Sequence, residues 1–336
     1  MSTKSIIMDD KFEKVIKGSE WYRTILIIQD ILTHGTFDFF RNKGIYSVHL
    51  PITTGSVTSP MGLGSDSLPV KVKLFDVDTY LADSMQFHLE YLLRLSNNKG
   101  VHYIMPTFRG EKTDARHLAQ FFHSESEIVG DLDDVIELIN EYILHLANII
   151  LKNCKEDIYK ITDDISHIEA LANSNGNIPR VKFTDAQDIL QYRESCFEYD
   201  SVNNFYKITS HGEAELINHF GGPVWITNYP YKSVPFYQKR SENADFAENA
   251  DLLMGIGETV GCGARCVTKD EVLESMRLLN VDPSEYTWYI RMKEETPIQT
   301  AGFGMGMERF ILWLLKYDDI RDIQIISREN GKSIEP

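Results

Sequence analysis

The residues best able to do chemistry are arginines and carboxylates placed at the ends of apolar runs. Arg109-x-Glu111 closes the run VHYIMPTF, and Arg116-His117 opens the next strand-like run after the polar turn GEKTDA. Two strands joined this way can hold one nucleotide. Arginines meet its phosphates, a carboxylate meets its exocyclic amine, and an aromatic ring, Phe121 or Phe122, lies on its base. Asp251 on a strand and Glu258 in the glycine turn that follows (Gly255, Gly257, Gly261, Gly263) offer oxygen ligands for Mg2+. Arg265 comes next and can grip a carboxylate or amide with two N–H groups. Gly302, Gly304 and Gly306 then fall on every second residue of AGFGMGMERFIL, baring one strand face to a flat ligand or another backbone. Arg309 opens the helix that follows, where amide N–H groups and a guanidinium both meet an anion. The competing explanation of this stretch is tight strand–helix packing with Arg309 in a structural ion pair. The upstream arginines and acids weigh toward a nucleotide.

Other chemistries are excluded by spacing. Gly331–Ser333 resembles the end of a P-loop, but the required upstream glycine position is Ile326. GFGMGM is followed by no βαβ unit or ribose-binding acid, and neither HExxH nor GxSxG occurs. The four cysteines, Cys154, Cys196, Cys262 and Cys266, form no disulfide framework, and the single CxxxC lacks a second zinc-ligand pair. A reduced, cytoplasmic setting is expected. A net charge of −16 argues against an extended nucleic-acid footprint, although a local basic site is compatible with it. With 43% hydrophobic and 25% charged residues, no apolar run of spanning length and no apolar signal core, the chain reads as a soluble globular protein.

The positioning elements follow from periodicity. Apolar residues at helical spacing predict a helix over Glu20–Asn42, stopped at Gly44, then the strand IYSVHLP closed by Pro51. The Gly/Ser/Pro-rich loop Thr53–Leu68 has the length of a lid. Strands are predicted at Val70–Phe75 and Thr79–Ala82, a helix at Ser84–Leu95, and strands ending at Phe108 and running from His117 to Ile128. An amphipathic helix spans Asp131–Lys152. Residues 153–245 read as short helices with one strand, Pro223–Asn228. A strand at Leu252–Ile256, a helix at Lys269–Leu279 and the glycine strand with its helix complete the chain. Strand–turn–strand spacing outnumbers strand–helix–strand units, so the class is α+β with a mostly antiparallel sheet.

Taken together, the motifs resemble those of class II aminoacyl-tRNA synthetases. Residues 21–51 resemble motif 1, FRGE…RHLAQFF within 101–128 resembles motif 2, and GFGMGMERF within 301–316 resembles motif 3. YLADSMQFHLEYL, ADLLMGIGETVGCGAR and YTWYIRMKEETPIQTAGFGMGMERF are similar to segments of the aspartyl/asparaginyl group. The resemblance implies a six- or seven-stranded antiparallel sheet flanked by helices, in one catalytic domain over 21–336 behind an N-terminal extension, 1–20, and a homodimer formed through motif 1. It implies that Arg109 binds the ATP α-phosphate and the reacting carboxylate, that Glu111 meets the adenine amine and that Phe121 stacks on adenine. His117 and Arg309 would hold the β/γ-phosphates, and Asp251 and Glu258 the Mg2+. Ser84, Gln86, Glu125 and Arg265 would line the amino-acid pocket. Arg109, Glu258 and Arg309 would then be the catalytic set of an ATP-dependent, adenylate-forming ligase.

The departures from the group pattern shape the expected acceptor. Only about twenty residues precede motif 1, where the tRNA ligases carry an anticodon-reading barrel. The motif 2 loop is one residue shorter than in asparaginyl enzymes. Leu89 stands where aspartyl enzymes carry a pocket lysine, Glu125 follows the asparaginyl pattern, Gly261 replaces a serine and Ala264 a glutamine. The chain is thus similar to archaeal asparagine-synthetase-related paralogues, which share YLADSM. The expected activity is adenylation of aspartate, asparagine or a close analogue, with transfer to ammonia or a small amine. The alternatives are a truncated asparaginyl-tRNA synthetase-like enzyme acting on tRNA, and a non-catalytic regulatory paralogue that binds nucleotide or amino acid.

Overall fold

A computed structural model describes residues 11–58, 62–63, 65, 67–95 and 99–331. Its centre is an eight-stranded sheet in the order Tyr46–Ser47, Gly100–Phe108, Gln120–Val129, Thr300–Gly306, Gly257–Ala264, Asn249–Met254, Val224–Thr227, Arg180–Lys182. The six inner strands are antiparallel to one another, and each outermost strand is added parallel. The extra strand relative to expectation is Arg180–Lys182, three residues too short to show a period in sequence. No helix among the described residues is long and apolar enough to cross a membrane.

Alternation divides the sheet into two chemically distinct faces. Ala250, Leu252, Val260, Phe303 and Met305 point to the back and join a core with Ile25, Ile28, Leu32 and Phe40 of the helix Glu20–Lys43. Gly44, at φ 73°, ends that helix in a left-handed cap. The second core helix, Leu132–Asn153, starts where the Asp131 carboxylate accepts from the N–H groups of Asp133 and Asp134, while Asp134 accepts from the Asp131 N–H. Val135, Leu138, Ile139, Tyr142 and Leu146 form its buried stripe. With the apolar residues spent on the back, the front face is free for polar groups.

Several elements differ from the sequence reading. IYSVHLP supplies only the two-residue strand Tyr46–Ser47, paired with Val101 and His102. Gly255 and Gly257 alone make the tight turn, at φ 60° and 137°, and Gly257–Ala264 is a full strand. Within the stretch read as short helices, Phe197–Asp200 and Phe205–Ile208 pair as a hairpin. Lys11, in the expected extension, donates through Nζ to the carbonyls of Arg321 and Gln324 at 2.9 Å, tying its helix to the body. Residues 1–10, parts of the loop Thr53–Leu68, and Lys332 and Ser333 of the P-loop-like tripeptide lie outside the described residues.

One buried and one half-buried histidine make the fold acid-sensitive. His102 stacks on Phe40 at 4.2 Å and bonds Ser47 Oγ through Nε2 at 2.7 Å; His167 Nε2 meets the Trp313 carbonyl at 2.9 Å. Burial lowers both to about 4. A neutral ring favoured by the fold means that stability is full above about pH 6.5 and is lost as pH falls toward 4, on the order of 3 kcal/mol for buried His102 and less for His167, where solvent screens the charge. Urea midpoints measured from pH 7.5 to 4 are expected to fall across this window, and His102→Gln is expected to make the fall shallower.

Candidate active site

The strand register sets the front-face side chains in rows. Tyr103, Glu125, Gly304, Gly261 and Asp251 stand abreast across five strands. Beside them run Val101, Glu127, Gly302, Gly263 and Asn249, and on the other side Met105, His123 and Gly306. The glycines do different jobs. A Cβ at Gly302 would lie 1.8 Å from Glu127 Oε2, and one at Gly263 would lie 2.0 Å from Gln238 Oε1. These two make room for buried polar side chains, so Gly302 is not part of a bare floor for a ligand. Gly304 and Gly306 keep ordinary contacts, at 3.5 Å or more, and line a cavity.

Two cavities meet on this face. The smaller one is lined by Arg109, Glu111, His117, Phe121, Gly304, Gly306 and Arg309. The Arg109 guanidinium lies 5.7 Å from the centroid of Phe121, whereas Phe122 faces outward and is 42% exposed, which decides between the two rings. Arg309 donates to the Glu258 carbonyl. His117 is exposed, with Nδ1 3.0 Å from Asp114. Arg116 lines the same cavity and bonds Glu213 at 2.9 Å. Glu213 comes from the stretch least legible in sequence; no motif surrounds it.

The larger cavity, of about 670 Å³, is lined by Ser84, Gln86, Glu125, Asp251 and Arg265, together with Tyr237 and Gln238. Arg109, His123, Glu258 and Gly304 line both cavities and mark their junction. Three buried polar atoms on these walls have no protein partner among the described residues: Gln86 Nε2, Arg109 Nε and Glu111 Oε2. Orphaned groups of this kind are costly in a folded protein unless a ligand or water meets them. Sequence reasoning overlooked His123, which stands one alternation from both Phe121 and Glu125.

The charges here are unequal in freedom. Glu125 is buried and accepts from Ser84 Oγ at 2.7 Å, from His123 Nδ1 at 2.8 Å and from the Tyr103 hydroxyl. Burial and Glu125 push Tyr103 well above the usual phenol range. Arg265 is 2% exposed and holds Glu127, itself 0% exposed, through Nε and Nη2 at 3.0–3.3 Å. The two N–H groups expected to grip a ligand are therefore engaged, and Arg265 presents only its remaining edge. Burial works against its charge, but Glu127 raises the guanidinium further above its usual range. Leu89 is fully buried with Met85, Leu93, Val101, Tyr103 and Met105, outside the cavity wall, so it does not select the ligand side chain.

Asp251 and Glu258 converge over Gly261, whose Cβ position lies 2.9 Å from Glu258 Oε1 and 3.5 Å from Asp251 Oδ1. Burial, then the charge of Glu258, lifts the Asp251 carboxyl well above the usual range, with Glu213 adding to the effect. Among the described residues no group of three or more His, Cys, Asp or Glu side chains gathers to hold a metal by itself. Two carboxylates remain, the usual complement where substrate phosphates and water complete a Mg2+ shell.

An antiparallel sheet with this motif order and these joined cavities defines the class II synthetase fold. The chain belongs to the family of tRNA synthetases class II (D, K and N), whose sequence profile matches residues 11–330. The asparaginyl-tRNA synthetase of Pyrococcus horikoshii, solved with asparaginyl-adenylate, matches with TM-score 0.87 and 26% identity over 99% of this chain and 74% of that one. The asparaginyl-tRNA synthetase of Entamoeba histolytica, also solved with asparaginyl-adenylate, matches with TM-score 0.82 and 20% identity over 100% and 74%. The aspartyl enzyme of Entamoeba histolytica matches with TM-score 0.78 and 16% identity over 99% and 65%. The last two establish shared fold alone.

Gly302 provides a test of the front-face architecture. Gly302→Ala forces Glu127 off Arg265, and breaking such a buried pair costs roughly 3–5 kcal/mol. Gly306→Ala meets only the Arg309 side chain at 3.6 Å. Urea unfolding is expected to show a large loss for the first variant and a small change for the second.

Proposed function

We propose that the chain binds ATP in the smaller cavity and aspartate, asparagine or a close analogue in the larger one. It joins them as an acyl-adenylate with release of pyrophosphate, then passes the acyl group to ammonia or a small amine. The observation that carries this reading is the junction: Arg109 lines both cavities and has an unpartnered buried Nε. A carboxylate held there attacks the α-phosphorus in line, and no general base is needed because the nucleophile is already charged. Positioning and neutralisation by Arg109 and Arg309 account for the acceleration.

The remaining residues take matching roles. Glu111, with its orphaned oxygen, accepts from the adenine amine, Phe121 stacks on the base, and His117 and Arg309 meet the β/γ-phosphates. Ser84, Gln86 and Glu125 orient the amino acid, with the open edge of Arg265 beyond them. Asp251 and Glu258, two crowded carboxylates whose mutual repulsion a divalent cation relieves, would hold Mg2+. The ion would supply neutralisation of the negative charge that develops on the phosphates. Exposed Leu26 and Tyr46 on motif 1 support pairing of two copies through that segment.

The net charge of −16 supports a small acceptor over a polyanion. The second reading, transfer to tRNA, is favoured by the similarity to the Pyrococcus horikoshii synthetase. Amino-acid-dependent ATP–pyrophosphate exchange, with mass analysis of products from ammonia, amines and tRNA offered separately, tests both. Exchange with aspartate or asparagine and an amide product is the expected result. Arg109→Ala is expected to lower exchange about 10²–10³-fold, the usual loss for one such charge-stabilising group. Efficient tRNA charging without amide would establish the second reading. ATP binding without exchange across all amino acids would make the chain a regulatory paralogue.

A further inference from the structure

The transfer step makes a demand that adenylation does not. A neutral amine gains positive charge as it attacks the acyl carbon and must lose a proton for the amide to form, so this step profits from a positioned base. We propose that His123 is that base, an inference that rests on the amine-transfer reading above.

The geometry puts an oriented imidazole at the one place where the two substrates meet. His123 lines both cavities, and its ring stands edge-on to Phe121 with centroids 4.8 Å apart at 79°. Its Nδ1 lies 2.8 Å from Glu125 Oε1, and the other carboxylate oxygen is fixed by Ser84 Oγ and the Tyr103 hydroxyl. In the neutral ring, Nδ1 donates to the Glu125 carboxylate and Nε2 keeps its lone pair. The ring's hydrogen bond among the described residues is through Nδ1, and the side chain retains 15% exposure, through which a collected proton can leave. A base held by a carboxylate that is itself held is the arrangement by which proteins prepare proton transfer.

The step balances without any redox partner. The amine lone pair forms the C–N bond, and its N–H proton passes to His123 Nε2. The bond between the acyl carbon and the phosphate oxygen breaks with its electron pair on oxygen, releasing AMP. His123 then returns the proton to solvent.

The full chain with His123→Gln, and His123→Asn as a second variant, tests this. Three rates are measured on each: ATP–pyrophosphate exchange, amide formation from ammonia, and hydroxamate formation from hydroxylamine, whose weaker basicity makes its proton easier to lose. Each transfer rate is divided by the exchange rate, so that incomplete folding cancels. The expected result is a fall of about 100-fold in the amide-to-exchange ratio, with a far smaller fall in the hydroxamate ratio. Equal falls in both ratios, or no fall in either, would overturn the role of His123 while leaving amide synthesis intact. Wild-type exchange without amide from any amine would overturn the amine-transfer reading, and this inference with it.

Discussion

One fully buried ion pair constrains the front of the sheet more than any other contact. Arg265 and Glu127 meet at the front face with almost no exposure, and desolvating them is repaid only by two-pronged contact and further polar neighbours. Gly302 and Gly263 supply the space, because any side chain there would collide with Glu127 or Gln238. A second pair lies close enough to be felt electrostatically by the first. Lys293 and Glu90, both 0% exposed, are 2.5 Å apart, with the Tyr289 hydroxyl and the Cys266 carbonyl completing the shell. The interior wall beyond the larger cavity is therefore built from locked charges rather than adjustable ones.

Locking that wall concentrates the unsatisfied groups at the junction. Gln86, Arg109 and Glu111 each keep a buried polar atom without a partner among the described residues, and Asp251 and Glu258 repel each other over Gly261. A site arranged this way is held for charge that arrives with ligands, which is how preorganised electrostatics act on a reaction. The two cationic groups are held differently, one by a backbone carbonyl and one by a carboxylate. Arg309 is held by the Glu258 carbonyl and Arg116 by the Glu213 carboxylate, leaving the smaller cavity lined but open.

Much of this was legible in one dimension. Helical periodicity placed the two long core helices to within a residue or two at their ends, because a wide apolar stripe repeats many times over such lengths. Of the motif strands, the apolar run ending at Phe108 and the glycine strand were legible, whereas IYSVHLP supplied two paired residues and Gly257–Ala264 read as part of a turn. Short elements were not: Arg180–Lys182 and the hairpin Phe197–Ile208 owe their form to hydrogen-bonded neighbours and show too few residues for a period. The direction of Leu89 was not legible, because a helix read from periodicity alone does not say which neighbour its apolar stripe packs against; Leu89 points into the core.

The sequence by itself determined which chemical groups were available, their order, and the alternation that sends apolar side chains to one face and Glu125, Glu127, Gly302 and Gly304 to the other. Only the tertiary structure decided which of those groups meet. Strand register put Glu127 beside Gly302, and so turned Arg265 from a free ligand-binding group into half of a locked pair. It also set His123 where two cavities join, and brought Glu213 from an unmarked stretch to Arg116. The reason is physical: periodicity is a property of a segment and can be read along it, whereas pairing across strands depends on register and on the space left by glycines far away in the chain.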